Sequence, residues 1–179
     1  MDEIIPFWSG DYFIFLALLL FARGMDFLST WVATPHLVLE GNPIAKWLGL
    51  KWGALLNLGI CICFASFPLA AVIISTTSVL VASRNFQGAW LMRTMGEQAY
   101  RHWMSERINE GRTGLFLFCL FAQCLLTAGI GSALVWFSDR LLIPTGVGVG
   151  MMGYALAVLV YSLISVWRGR GQRPSNGEI

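Results

Sequence analysis

Charge is absent from four stretches of the chain, 13–22, 53–83, 114–137 and 141–167, and Leu, Ile, Val, Phe and Ala dominate each. The first is too short to cross a bilayer, because a spanning helix needs about 20 residues at about 1.5 Å each. The helix is therefore expected to run on through Arg23 and Asp26 to give a span of about 12–34, with Trp8 and Trp31 at the two interfaces. Pro35 ends it, since the residue before a proline is pushed out of the helical region.

The next stretch, 34–42, is punctuated rather than periodic. Thr34-Pro35 and Asn42-Pro43 each read as an N-cap followed by proline at the first helical position. This predicts a short turn of helix holding His36 and Glu40, then Gly41, then a new helix from Pro43. Lys46, Trp47, Lys51 and Trp52 suit an interfacial lead-in. The uncharged run that follows is long for one span and short for two with a turn. A single tilted span of about 50–83, kinked near Pro68, is the expectation. Asn57 is its most polar member in the outer half, and the hydroxyls of Ser75, Thr76, Thr77 and Ser78 can return to backbone carbonyls.

Residues 84–113 carry five Arg and three Glu, with Trp90, Met92, Tyr100, Trp103 and Met104 interleaved. The mixture predicts an amphipathic helix of about 87–110 lying on the headgroups, with Glu97 and Arg101 as an i,i+4 pair. The Glu residues and the apolar content argue against nucleic acid as a partner. A third span of about 114–137 has Gln123 near its middle and small residues through Gly129, Gly131 and Ser132. A tight turn at 138–140 leads to a fourth span of about 141–167, which opens with Pro144, Gly146, Gly148 and Gly150. The Gly131 and Gly150 faces predict close helix approach, within the chain or to a second copy or another membrane partner. The glycine run lacks the strand–loop–helix context of a phosphate loop. The tail, 168–179, is polar and Gly/Pro-rich and is expected to be disordered.

Arg residues concentrate in the long connection and in the tail, while Lys46, Lys51 and Arg140 fall elsewhere. The positive-inside rule then predicts an all-α membrane protein with four spans and both termini inside. A bacterial inner (plasma) membrane is the expected location, the lipid bilayer the main partner, and the loop 34–42 the outer side. The composition agrees: 56% hydrophobic and 12% charged residues and a mean hydropathy of +0.66 lie outside the range of a soluble domain. The start is acidic and lacks the basic region of a targeting signal, so the first helix is expected to be retained. Cys61, Cys63, Cys119 and Cys124 lie inside apolar runs without metal-type spacing.

The candidate chemistry sits where the first span meets the loop. Arg23, Asp26 and Thr30 fall within about 60° of one another on a helical wheel. An intramembrane charge costs about 2.5–3.5 kcal/mol on insertion scales and is seldom kept without a use. The bland alternative is that Arg23 and Asp26 only neutralise each other, or pair with Lys51. The functional alternative gathers Arg23, Asp26, Thr30, Glu40, Asn42 and Lys51 into one polar site for a proton or a hard cation. Adding His36 to Asp26 and Glu40 gives a set able to hold a metal ion, zinc or iron, for hydrolysis of a lipid or peptide.

Asp26-x-x-x-Thr30 followed by Glu40-x-Asn42-Pro43 and a basic residue resembles a family of small prokaryotic membrane proteins without an established activity. The resemblance covers about residues 12–83 and implies only that Asp26, Thr30, Glu40, Asn42 and Pro43 act together. The expectation is a protein that binds or moves a small cation or proton-coupled solute, more transporter than enzyme. The rivals are the embedded metal hydrolase and a non-catalytic subunit of a membrane complex.

Overall fold

The computed structural model describes residues 4–39, 43–110 and 113–170. Its helices are α1 (Gly10–Ala33), α2 (Pro43–Phe64), α3 (Pro68–Met95), α4 (Glu97–Glu110), α5 (Thr113–Trp136) and α6 (Leu142–Arg170). Four of them, α1, α3, α5 and α6, are long and apolar enough to cross a membrane, so the chain is an integral membrane protein. Trp31, Trp90 and Trp167 lie exposed towards one end of this set, and Trp8 and Trp136 towards the other, as an aromatic belt requires. From Gly10 to Trp31 the helix α1 rises by about 32 Å, close to the thickness of a bilayer core of about 30 Å.

α1 starts at Ser9, whose hydroxyl accepts from Tyr12 N at 3.2 Å. It ends at Thr34, whose N–H still reaches Thr30 O at 2.8 Å. The segment 34–39 is not the helical turn expected from Thr34-Pro35. Thr34 caps the end of α1 instead of starting a helix, and Leu37 takes a positive φ of 56°. Glu40, Gly41 and Asn42 lie outside the described residues.

The expected second span of 50–83 is two helices. α2 ends at Phe64, and Pro68 stands at the first turn of α3. A proline there has no N–H to give and blocks the carbonyl one turn back, so the chain reverses rather than kinks. Gly49 breaks α2 near its start with φ 68°, leaving Lys51–Phe64 as its apolar part. That part is about 21 Å long, short of the hydrocarbon thickness. It runs back along α1: Gly53 meets the ring of Phe27, Asn57 meets Arg23, and the Tyr12 hydroxyl donates to Ile62 O at 3.2 Å. α3 gains its length at the other end by taking in Arg84, Asn85 and Arg93, which were expected in the polar connection of 84–113. The long stems of Arg84 and Arg93 let their charges reach towards the headgroup level, while the Asn85 amide turns to Ser29 and Thr30 of α1. Gly96, with φ 81°, then separates α3 from α4, so the separate helix of the connection is 97–110, where 87–110 was expected.

α3 lies parallel to α1, and their side-chain bonds recur at separations of 55 and 56 residues. α6 is parallel to α3, with Val72 against Gly146 and Thr76 against Gly150, while α5 crosses back against α6 with Gly131 on Gly148. A Cβ built on Gly131 would stand 2.6 Å from the Gly148 carbonyl oxygen, and one on Gly150 would stand 2.8 Å from Thr76 Cβ. The two small-residue faces are thus used inside the chain, where bare backbones let α5, α6 and α3 close up. Of the close approaches expected at Gly131 and Gly150, the ones observed lie within the chain. Leu120, Cys124, Tyr154, Ala155 and Val158 form one core cluster nearer the Arg-rich end, and Tyr12, Leu19, Cys61, Ala65 and Ala71 form another at α1–α2–α3. The α5–α6 connection, 137–141, holds Asp139 and Arg140 both at positive φ.

These directions correct the expected topology. α1, α3 and α6 run the same way, so the start of α1 and the end of α6 lie at opposite ends of the bundle rather than on one side. The loop 34–39 joins α4 at the Arg-rich end, instead of facing away from it. α6 continues to Arg170, and residues 171–179, most of the expected disordered tail, lie outside the described residues. In a background without native cysteines, single cysteines at His36 and Arg101 should label from one side of the membrane and Asp139→Cys from the other. Labelling of positions 36 and 101 from opposite faces would overturn this arrangement.

Candidate functional site

The site is a seam of polar side chains between apolar helices, built in three rungs from the middle of α1 to the Arg-rich end. The lowest rung is centred on Arg23, about 12 Å of helix below Trp31. Arg23 Nη1 donates to Asp26 Oδ2 at 2.9 Å and to Ser78 Oγ at 3.0 Å. Arg23 Nε donates to Asn57 Oδ1 at 2.7 Å, and Nη2 donates to the same oxygen. Asn57 is held in place by its own amide, which donates to Gly53 O at 2.7 Å. One guanidinium therefore ties three helices, with a partner from each. Side-chain exposures of 26% for Arg23 and 18% for Asp26 put the pair largely out of solvent, where charge-assisted bonds gain strength.

One to two turns further along, Asn85 Nδ2 donates to Ser29 Oγ and to Thr30 Oγ1, each at 3.3 Å. Ser29 is fully buried and returns its own proton to Asp26 O at 2.8 Å. Thr30, one turn beyond Asp26, thus meets α3 through Asn85. Ser75, one turn before Ser78 on the same face of α3, is buried with its hydroxyl unpaired among the described residues.

The top rung is a carboxylate held by a loop. Glu97 Oε1 accepts from His36 N at 2.8 Å and stands 3.1 Å from His36 Nδ1. Its Oε2 accepts from Val38 N at 2.9 Å and from the Thr34 hydroxyl. Thr34 Oγ1 in turn accepts from Leu39 N at 3.1 Å. The expected Glu97–Arg101 pair gives way to these contacts. Burial alone raises the Glu97 pKa, but the bonds from Thr34, His36 and Val38 outweigh it and hold the carboxyl below its ordinary value.

The sign of the pH effect follows. A depressed folded pKa means that the latch contributes in full above the ordinary carboxylate pKa of about 4.3 and is lost as pH falls through the lower folded value. Hydrogen exchange at the amides of His36 and Val38, corrected for intrinsic rates, should stay slow from neutral pH down to about pH 5. It should rise about 10- to 100-fold in Glu97→Gln, because hydrogen bonds to a charged group contribute about 1.5–3 kcal/mol. Unchanged protection in that variant would mean the loop is ordered by something other than Glu97.

Of the residues singled out from the sequence, Arg23 and Asp26 form one rung and Thr30 the next, while His36 belongs to the third. Lys51 is exposed at the start of the apolar part of α2, and Glu40 and Asn42 lie outside the described residues. Among the described residues no three of His, Cys, Asp and Glu come together as a metal site. Asp26 and His36, two of the three proposed ligands, are held on different rungs by Arg23 and Glu97. Six contributors were not singled out for the site: Ser29, Thr34, Asn57, Ser78, Asn85 and Glu97. Ser29 and Ser78 resemble any small helical hydroxyl. Asn85 and Glu97 sat in what read as a separate polar connection, so only the α1–α3 register could bring them here.

The sequence matches no protein-family model and no curated protein, and the fold matches no solved structure.

Proposed function

We propose that this membrane protein binds or moves a small cation or a proton-coupled solute along the α1–α3 seam. The observation that carries the reading is the Arg23–Asp26 pair with Asn57 and Ser78, set within the apolar part of a spanning helix and followed by polar rungs to the bundle end. A carboxylate kept at that depth is costly unless it is used or paired. Here the pair is followed by Ser29, Thr30 and Asn85, then by Glu97 and His36, an order of polar groups suited to stepwise passage. The unpaired hydroxyl of Ser75 offers a further donor or acceptor below the pair. The short helix α2 touches the seam through Asn57 and covers Arg23, so its movement would open the lowest rung. By the positive-inside rule the Glu97 end, which carries Arg93, Arg101 and Arg107, is the cytoplasmic one. The hydrolase reading has less support, since Asp26 and His36 have separate partners.

The test is ion flux in proteoliposomes carrying a pH-sensitive dye, under imposed proton, Na⁺ or K⁺ gradients. The wild-type chain should dissipate one of these gradients faster than protein-free vesicles, and Asp26→Asn should slow that by about tenfold or more. The reading fails if no gradient decays faster with protein than without it.

A further inference from the structure

We infer that the α5–α6 turn carries a binding site for the headgroup of a zwitterionic phospholipid. The site lies at the opposite end of the bundle from Glu97. A surface pocket of about 530 Å³ is lined there by Ser132, Val135, Trp136, Asp139, Arg140 and Met152. Its volume falls within the range of about 300–1,000 Å³ typical of small-molecule sites.

The lining divides by chemistry. Val135, Met152 and the Trp136 ring form an apolar wall on the membrane side. Ser132 adds little polarity to it, since its hydroxyl is spent on Ala128 O at 2.8 Å and sits 3.7 Å from Met152 Sδ. The rim carries one carboxylate and one guanidinium, Asp139 and Arg140, both exposed. Among the described residues no ion pair joins them to each other or to another side chain. Both stand at positive φ, 46° and 63°, a conformation that ordinary side chains seldom hold in succession.

A zwitterionic headgroup presents the matching pair of charges, a phosphate and an ammonium a few bonds apart. Arg140 suits the phosphate, through the fork geometry of its guanidinium. Asp139 suits the ammonium, and the face of Trp136, at the aromatic belt, adds a cation–π contact. The apolar wall then takes the start of an acyl chain. A soluble phosphate has no use for that wall or for Asp139, and an anionic lipid headgroup without an ammonium meets Asp139 as a like charge. The commitment is therefore to a lipid bearing both charges. It is independent of the function proposed for the α1–α3 seam.

The test uses the purified full chain in detergent, with native mass spectrometry for retained lipid and thermal unfolding for stabilisation. The probes are phosphatidylethanolamine, phosphatidylglycerol and inorganic phosphate. One phosphatidylethanolamine molecule should be retained and should raise the melting temperature more than phosphatidylglycerol does. Arg140→Gln, Asp139→Asn and Trp136→Leu should each weaken that retention by about fivefold, with melting temperatures unchanged when no lipid is added. Equal retention of phosphatidylglycerol would overturn the assignment of the ammonium to Asp139 and Trp136. Stabilisation by inorganic phosphate alone would replace the lipid with a free anion. Unaltered retention in all three variants would remove the site.

Discussion

Replacing Gly131 by alanine should destabilise the protein by about 1–3 kcal/mol, and replacing it by leucine should abolish α5–α6 packing. The alanine Cβ would press against the Gly148 carbonyl oxygen at 2.6 Å and Met151 Cβ at 3.1 Å. A carbonyl oxygen is backbone and cannot swing aside as a side-chain tip can, so the helices must part. Gly148→Ala meets the reverse contact, 2.5 Å from Gly131 O. Gly129 is the control: it lies on the same helix with open space around its Cβ position. Alanine there should be neutral or stabilising by up to about 1 kcal/mol, the difference in helix propensity. Thermal unfolding in one detergent compares all three. If Gly129→Ala and Gly131→Ala cannot be told apart, α5 does not meet α6 through Gly131.

The second large effect is expected at Arg23. Arg23→Leu takes the guanidinium away from Asp26, Asn57 Oδ1 and Ser78 at once. Breaking a buried pair from one side typically costs about 3–5 kcal/mol, and α2 loses its bond to α1. Asp26→Asn should cost less, because the amide keeps the shape and can still accept from Arg23. The double change Arg23→Leu with Asp26→Leu should recover most of the loss, since apolar replacements often match a buried pair. What remains is the unpaired Asn57 oxygen, at about 1–3 kcal/mol. Stability and flux then separate the two roles of the pair. A double variant that folds and no longer conducts supports a working seam, whereas one that folds and conducts normally confines Arg23 and Asp26 to holding the helices together.

The class of the molecule was legible along the chain because a bilayer imposes a one-dimensional rule. Any stretch that spans it must be a long apolar helix, since unpaired backbone groups in hydrocarbon cost several kcal/mol each. That rule yields α1, α5 and α6 nearly to their ends, and the continuation of α1 through Arg23 and Asp26. The facing of Arg23, Asp26 and Thr30 was legible too, from helical spacing alone. The second span was misread at Pro68, because an uncharged run does not reveal whether a helix must cross or can turn back part way. α2 falls short of the bilayer thickness, and α3 makes up its own length with residues as polar as Arg84 and Asn85. Their charged and amide ends find the headgroups or the α1 hydroxyls, which hydropathy does not register. Once the chain reverses at 65–67, every later direction inverts, and the loop after α1 comes to lie beside α4. The Arg23–Ser78 bond, the bonds of Glu97 to His36 and Val38, and the contact of Gly150 with Thr76 all follow from that reversal. Each joins residues far apart in the chain, and such pairings depend on how helices lie against one another, which only the tertiary structure decides.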